Sequence, residues 1–141
     1  MTLQDGLNAV GKFHTTFGMR VEKQPKMNIP EGEMDLRHRL MAEENDEYLE
    51  AVKAGDMVEV ADALGDMLYI LCGTILTHGM QDVMSDVFQA IQDSNMSKLG
   101  ADGKPIYRKD GKVMKGPHYF KPDIQGVLQR AGALPLQSME E

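Results

Sequence analysis

From Ala54 to Ser97 the chain carries no lysine or arginine, yet Asp56, Glu59, Asp62, Asp66, Asp82, Asp86 and Asp93 all fall inside. Immediately upstream lie Glu43, Glu44, Asp46, Glu47 and Glu50, with Lys53 the one basic residue among them. Any fold must place this uncompensated charge. A solvated helical face normally interleaves lysine or arginine at four-residue spacing, and like charges one turn apart repel by a few tenths of a kcal/mol. The pattern therefore asks for a counter-charge from outside the two segments.

Helical periodicity organises the chain around that region. A first helix is expected from Leu3 to Phe17, with Leu7, Val10, Phe13, His14 and Phe17 at core spacing and Gly18 as the stop. Pro25, Pro30 and Gly32 break the following loop. A second helix, about Glu33 to Ala54, offers Leu36, Leu40, Tyr48 and Val52 to a core. Gly55 closes it, and Asp56 is placed to cap a third helix running to His78. A fourth, Gln81 to Met96, offers Val83, Val87, Ala90 and Ile91. Met34, Met41, Met67 and Met96 read as core filling.

The third helix divides into two faces. Glu59, Asp62 and Asp66 fall within a ~60° sector at ~100° per residue. Met57, Val60, Leu64, Leu68, Leu71 and Ile75 form an apolar stripe roughly opposite, read as the core face. On the second helix Glu44 and Glu47 stand three apart, and Glu43 and Glu47 four apart, on one side. Two helices presenting carboxylates at this spacing suit a hard divalent cation such as Mg²⁺, which takes oxygen ligands and substrate phosphates. A di-iron bundle would require Glu-x-x-His pairs, and none of His14, His38, His78 and His118 follows a glutamate at that spacing.

Beyond Ser97 the balance reverses. Lys98, Lys104, Arg108, Lys109, Lys112, Lys115 and Lys121 meet only Asp102 and Asp110 up to Lys121, and Asp102-Gly103 and Asp110-Gly111 mark turns of a small hairpin or ordered loop. Lysines and arginines of such a tail could pair with phosphates that still carry charge. No Gly-x-x-x-x-Gly-Lys-Ser/Thr loop occurs, which excludes a P-loop site. The 141-residue chain has a net charge of −7, which argues against general nucleic-acid binding. No secretion leader or membrane-spanning run is read from it, and the single Cys72 excludes an internal disulfide. The expectation is a cytoplasmic, all-α, four-helix-bundle-like single domain. Its helical core spans residues 1–98, its basic loop or hairpin residues 99–125, and a weakly ordered end residues 126–141.

These residues resemble the all-α nucleoside triphosphate pyrophosphohydrolases, the MazG-like and phosphoribosyl-ATP pyrophosphohydrolase-like proteins. The family pattern of Glu-x-x-Glu, a spacer and Glu-x-x-Asp is present as "ENDE" from Glu44 to Glu47 and "EVAD" from Glu59 to Asp62. The "SNMSK…DGK…KGP" stretch is similar to the tail of a subgroup related to dimeric dUTPases, and the likeness runs from about Arg37 to Ile124. The resemblance implies that Glu44, Glu47, Glu59 and Asp62 ligate Mg²⁺, with Mn²⁺ as a substitute in vitro. It implies that Glu43 orients or deprotonates the attacking water, and that Asn95, Lys98, Lys112 and Lys115 contact the nucleotide. Asp66 and Tyr69 would extend the acid face and help shape the pocket. The activity implied is hydrolysis of a nucleoside triphosphate to monophosphate and pyrophosphate, in a homodimer or homotetramer. Two alternatives remain open: hydrolysis of phosphoribosyl-ATP, and a helical oligomer that binds metal or nucleotide without catalysis.

Overall fold

The computed structural model describes residues 1–135, and within them the chain is all-α: α1 (Leu3–Thr16), α2 (Glu31–Ala54), α3 (Met57–Thr77), α4 (Met84–Met96) and α5 (Ile124–Arg130). The expected end of the chain, residues 136–141, lies outside the described part. The chain divides into two compact units, Met1–Asp82 and a second beginning at Val83.

In the first unit the helix boundaries have local causes. Thr2 and Asp5 close a reciprocal capping box at the start of α1, each accepting from the other's backbone N–H. Gly55 ends α2 in the left-handed conformation, φ 67°, open to glycine without strain. Asp56 then accepts from the Glu59 N–H at 3.1 Å and starts α3. This tight connection sends α3 back along α2, and α1 packs on α3 as well. The core comprises Leu7 and Val10 of α1, Ala51 of α2, and Ala63, Cys72, Ile75 and Leu76 of α3, with Ile29 from the loop.

The apolar stripe expected as the core face of α3 is largely uncovered in the single chain. Met57, Leu64, Leu68 and Leu71 are exposed, Leu68 to 66%; Val60 is half-buried, and Ile75 alone of the six is buried. The reason is geometric: α2 packs against the carboxylate side of α3, and α1 reaches chiefly its C-terminal half. Phe13, Phe17, Tyr48, Val52 and Met34 are likewise exposed, whereas Leu36, Leu40, Met41 and Met67 are half-buried. By length and mean hydropathy, 21 residues and 1.4, α3 could cross a membrane. A third of that span is buried in the single chain, chiefly at Cys72, Gly73, Ile75, Leu76 and Thr77, which carry much of the first unit's core.

The second unit is built on α4 and the basic segment. α4 starts three residues later than its periodicity predicts, buries Val83 and Ser94, half-buries Val87 and Ala90, and leaves Ile91 and Met96 exposed. A narrow hairpin follows: Met114 N–H donates to Ile106 O at 2.7 Å and Arg108 N–H to Lys112 O at 2.8 Å, across the Asp110-Gly111 turn. Tyr107 and Val113 form one isolated antiparallel bridge, and no strand is present among the described residues. α5 is capped by Asp123 and buries Val127, more order than the single turn expected there.

Candidate functional site

The α2–α3 seam reads along α2 as Arg37, Leu40, Met41, Glu44 and Ala51, the residues of that helix withdrawn from solvent at helical spacing. Most of these are ordinary seam residues. Glu44 is not: a carboxylate there must find partners or lose its charge.

Its surroundings are acidic. One carboxylate oxygen of Glu44, Oε2, is buried and has no hydrogen-bond partner. Withdrawal from water first, and the neighbouring Glu47 carboxylate second, push the Glu44 carboxyl up to about 7. The charges of Asp66 and Asp62 on α3 push in the same direction. The fold therefore gathers Glu44 and Glu47 of α2 with Asp62 and Asp66 of α3. None of the four is in an ion pair among the described residues, where the salt bridges engage Glu22, Glu33, Asp110 and Asp123.

The remaining candidates differ in place. Glu59 sits in the first turn of α3, exposed, and does not figure among the charges acting on Glu44. Glu43 is exposed on α2 beside the cluster's helix, without a hydrogen bond or ion pair among the described residues. Tyr69 follows Asp66 by one turn and touches Phe13 of α1 edge-on, ring centres 5.7 Å apart. Asn95, Lys98, Lys112 and Lys115 belong to the second unit. There the Lys98 carbonyl accepts from Gly116 N–H at 2.9 Å, tying the segment after Lys115 to the end of α4. A side chain at Gly116 would place its Cβ 1.9 Å from Leu99 O, so this approach needs glycine. Lys115 Nζ lies 4.7 Å over the Tyr119 ring, and Lys112 stands exposed in the hairpin.

The residues of the α2–α3 cluster supply oxygen donors only, the set a hard divalent cation prefers. As they stand, no three His, Cys, Asp or Glu side chains among the described residues are gathered closely enough to hold an ion. The fit to a cation rests on the orphaned Glu44 oxygen and the lack of any basic partner.

Two features escaped the reading of the sequence. Arg37, buried on α2, donates from Nε to Thr74 Oγ1 at 3.2 Å and from Nη2 to Ile70 O at 3.4 Å. His14, also buried, approaches the same point on α3, where Gly73 leaves room for both side chains. Arg37 stands seven residues before Glu44, the spacing of one helix face, and that was the signal available. The second is a contact among Phe13, Phe17 and Tyr69, concealed because periodicity assigned the two phenylalanines to the core.

The phosphoribosyl-ATP pyrophosphohydrolase family matches residues 10–95, more than half of the chain. The chain belongs to that family. It is thereby a member of the all-α NTP pyrophosphohydrolase superfamily, as its paired acidic motifs suggested. The matched region contains α2 and α3 entire, the second half of α1 and nearly all of α4, with Glu43, Glu44, Glu47, Glu59, Asp62, Asp66, Tyr69 and Asn95 inside it. Lys98, Lys112 and Lys115 lie beyond its end. No curated protein matches the chain. Family membership supports a pyrophosphohydrolase and leaves its substrate open.

Proposed function

We propose that the protein is a Mg²⁺-dependent nucleoside triphosphate pyrophosphohydrolase, converting an NTP or dNTP to the monophosphate and pyrophosphate. The observation that carries this reading is the half-buried Glu44, with an unpartnered oxygen, among Glu47, Asp62 and Asp66 on two helices the family match includes. Glu44, Glu47, Glu59 and Asp62 would hold the cation, with Mn²⁺ as a substitute. A bound divalent cation supplies charge neutralisation at the phosphates and a lowered pKa for water.

The chain's own residues supply the rest. Glu43, exposed and unpaired beside the cluster, accepts the proton of the attacking water. The water oxygen bonds to phosphorus at the α or β position and the α–β anhydride bond breaks: attack at α expels pyrophosphate, and attack at β expels the monophosphate while the water oxygen stays in pyrophosphate. The family resemblance assigns Asn95, Lys98, Lys112 and Lys115 to the nucleotide, where such polar and positive groups would stabilise charge on the phosphates. Asp66 adds to the field around Glu44, and Tyr69 borders the site.

Phosphoribosyl-ATP is an equally supported substrate, since the matching family carries that activity in its description. The test is a panel of NTPs, dNTPs, dUTP and phosphoribosyl-ATP, scored by pyrophosphate release with and without Mg²⁺. Glu47→Gln is expected to reduce Mg²⁺-dependent release by at least about 100-fold with helicity by circular dichroism retained. Near wild-type turnover in that variant contradicts the site; binding of Mg²⁺ and nucleotide without hydrolysis of any substrate favours the non-catalytic oligomer.

The uncovered stripe of Met57, Leu64, Leu68 and Leu71 supports a homodimer or homotetramer. A second copy is its simplest cover. Cytoplasmic placement belongs to this proposal too, resting on the reading of the sequence alone.

A further inference from the structure

Two of the four phenylalanines and one of the four tyrosines meet at one place in the first unit. The Phe13 and Phe17 rings of α1 lie 4.5 Å apart, tilted by 39°, and the Tyr69 ring of α3 meets Phe13 at 83°. Such a cluster would be unremarkable in a core. Here Phe13 keeps 38%, Tyr69 43% and Phe17 66% of its surface open to solvent. The site they border already has its charge: Tyr69 follows Asp66 by three residues and Asp62 by seven, so it lies about 4.5 and 10.5 Å farther along the α3 axis.

We infer that Phe13 and Tyr69, backed by Phe17, form the stacking platform for the heterocyclic base of the nucleotide. The inference rests on the proposed phosphate chemistry at Glu44, Glu47, Asp62 and Asp66 and adds where the other end of the same substrate lies. The carboxylate cluster is suited to cation-bound phosphates and has nothing to offer a planar ring. The aromatic cluster has the reverse character: carbon surface with a single phenol hydroxyl, unable to bind phosphate but able to stack any base. The two are continuous along one helix, and a sugar is the part of a nucleotide that bridges such a separation. On the other side of Tyr69, α1 and α3 border a half-open apolar groove of about 510 Å³, to which Gly65, Leu68 and Val10 also contribute. No carboxylate lines it, so the surroundings of Tyr69 are apolar where those of Glu44 are charged.

The test is a comparison of ligands with and without a base, read by calorimetry in the presence of Mg²⁺ and independent of turnover. Adenosine 5′-monophosphate, uridine 5′-monophosphate and ribose 5-phosphate are titrated into the wild-type protein and into Phe13→Leu, Tyr69→Leu and Tyr69→Phe. At least one nucleotide is expected to bind wild type about ten-fold or more tightly than ribose 5-phosphate. Phe13→Leu and Tyr69→Leu are expected to erase most of that ratio with ribose 5-phosphate affinity held, and Tyr69→Phe, which keeps the ring, to preserve it. Equal affinity of all three ligands for wild type overturns the platform. So do leucine variants that weaken every ligand alike, leave the ratio untouched, or change only the oligomeric mass, since the rings would then serve folding or a subunit contact. A protein with the base-dependent ratio but no pyrophosphate release keeps the platform and loses the hydrolase reading. An active hydrolase without the ratio does the opposite.

Discussion

Replacing Glu44 by glutamine should make the cation-free protein more stable and less active. A carboxyl that releases its proton near pH 7 in the fold, against 4.5 for the ordinary group, holds that proton more tightly folded than unfolded. Between those two values the folded state binds more protons, so unfolding free energy falls as pH rises through the window. The stability is complete below about pH 4.5 and is lost by about pH 8. Fully expressed, the difference is at most about 3 kcal/mol, and solvent screening of a half-buried group reduces it to about 1–2 kcal/mol. Glutamine keeps the shape, remains neutral throughout, and removes the charge that Glu47, Asp62 and Asp66 oppose. Urea unfolding followed by circular dichroism, in chelator, from pH 5 to pH 8.5, reads the effect directly. Wild type should lose stability across that range relative to Glu44→Gln, with the two converging near pH 5. Excess Mg²⁺ at pH 8 should restore wild type more than the variant, by mass action on the folded state. Parallel pH profiles, or a variant less stable than wild type at pH 8 without metal, would refute the account of Glu44.

Glycine positions on α3 give a paired prediction. A Cβ at Gly73 would lie 2.8 Å from His14 Nε2 and 3.0 Å from Arg37 Nη2, so Gly73→Ala should cost about 1–3 kcal/mol in urea unfolding. Gly65→Ala meets nothing within 4 Å and should be neutral or stabilising by up to about 1 kcal/mol. Leu71→Lys, on the uncovered stripe, should lower the mass seen in analytical ultracentrifugation while leaving the helical signal of the chain in place; unchanged mass would remove this stripe from the subunit contact.

The sequence made α2 and α3 legible because their junction carries its own punctuation: a left-handed Gly55 and a capping Asp56. Three- and four-residue spacing also put Glu44 with Glu47 on one face of α2 and Asp62 with Asp66 on one face of α3. What periodicity does not carry is which face meets which neighbour. The stripe from Met57 to Leu71 has every mark of a core face, yet α2 takes the opposite side of α3 and leaves the stripe open. Phe13 and Phe17 were misassigned for the same reason. A hydrophobic face is evidence of a contact, and only the fold distinguishes a contact within the chain from one with a ligand or a second copy.

Arg37 supplies the last argument about the seam. It is two turns from Glu44 on the same side of α2, about 10.5 Å along the axis. Its guanidinium is buried, which lowers its pKa, and it is in no ion pair among the described residues. A buried cation costs free energy unless something opposite in sign lies within reach. Glu33, one turn before Arg37 on α2, borders the same cavity but pairs with Arg20, and two turns the other way lies the carboxylate cluster. At an effective dielectric near 20, one unit charge at that distance is worth about 1.5 kcal/mol, less with screening. That is too little to neutralise four carboxylates, it leaves the cluster wanting a cation, and it gives at most a small lowering of Glu44 against the burial and the carboxylates that raise it. Arg37→Met, which keeps volume and removes charge, should shift the midpoint of the pH-dependent stability loss upward by several tenths of a pH unit. The same substitution in the Glu44→Gln background should leave that part of the profile flat, because the titrating group is gone. An equal change of stability at every pH in both backgrounds, with the Glu44 midpoint unmoved, would mean that Arg37 acts through packing alone, and the seam would then be two independent sites rather than one electrostatic unit.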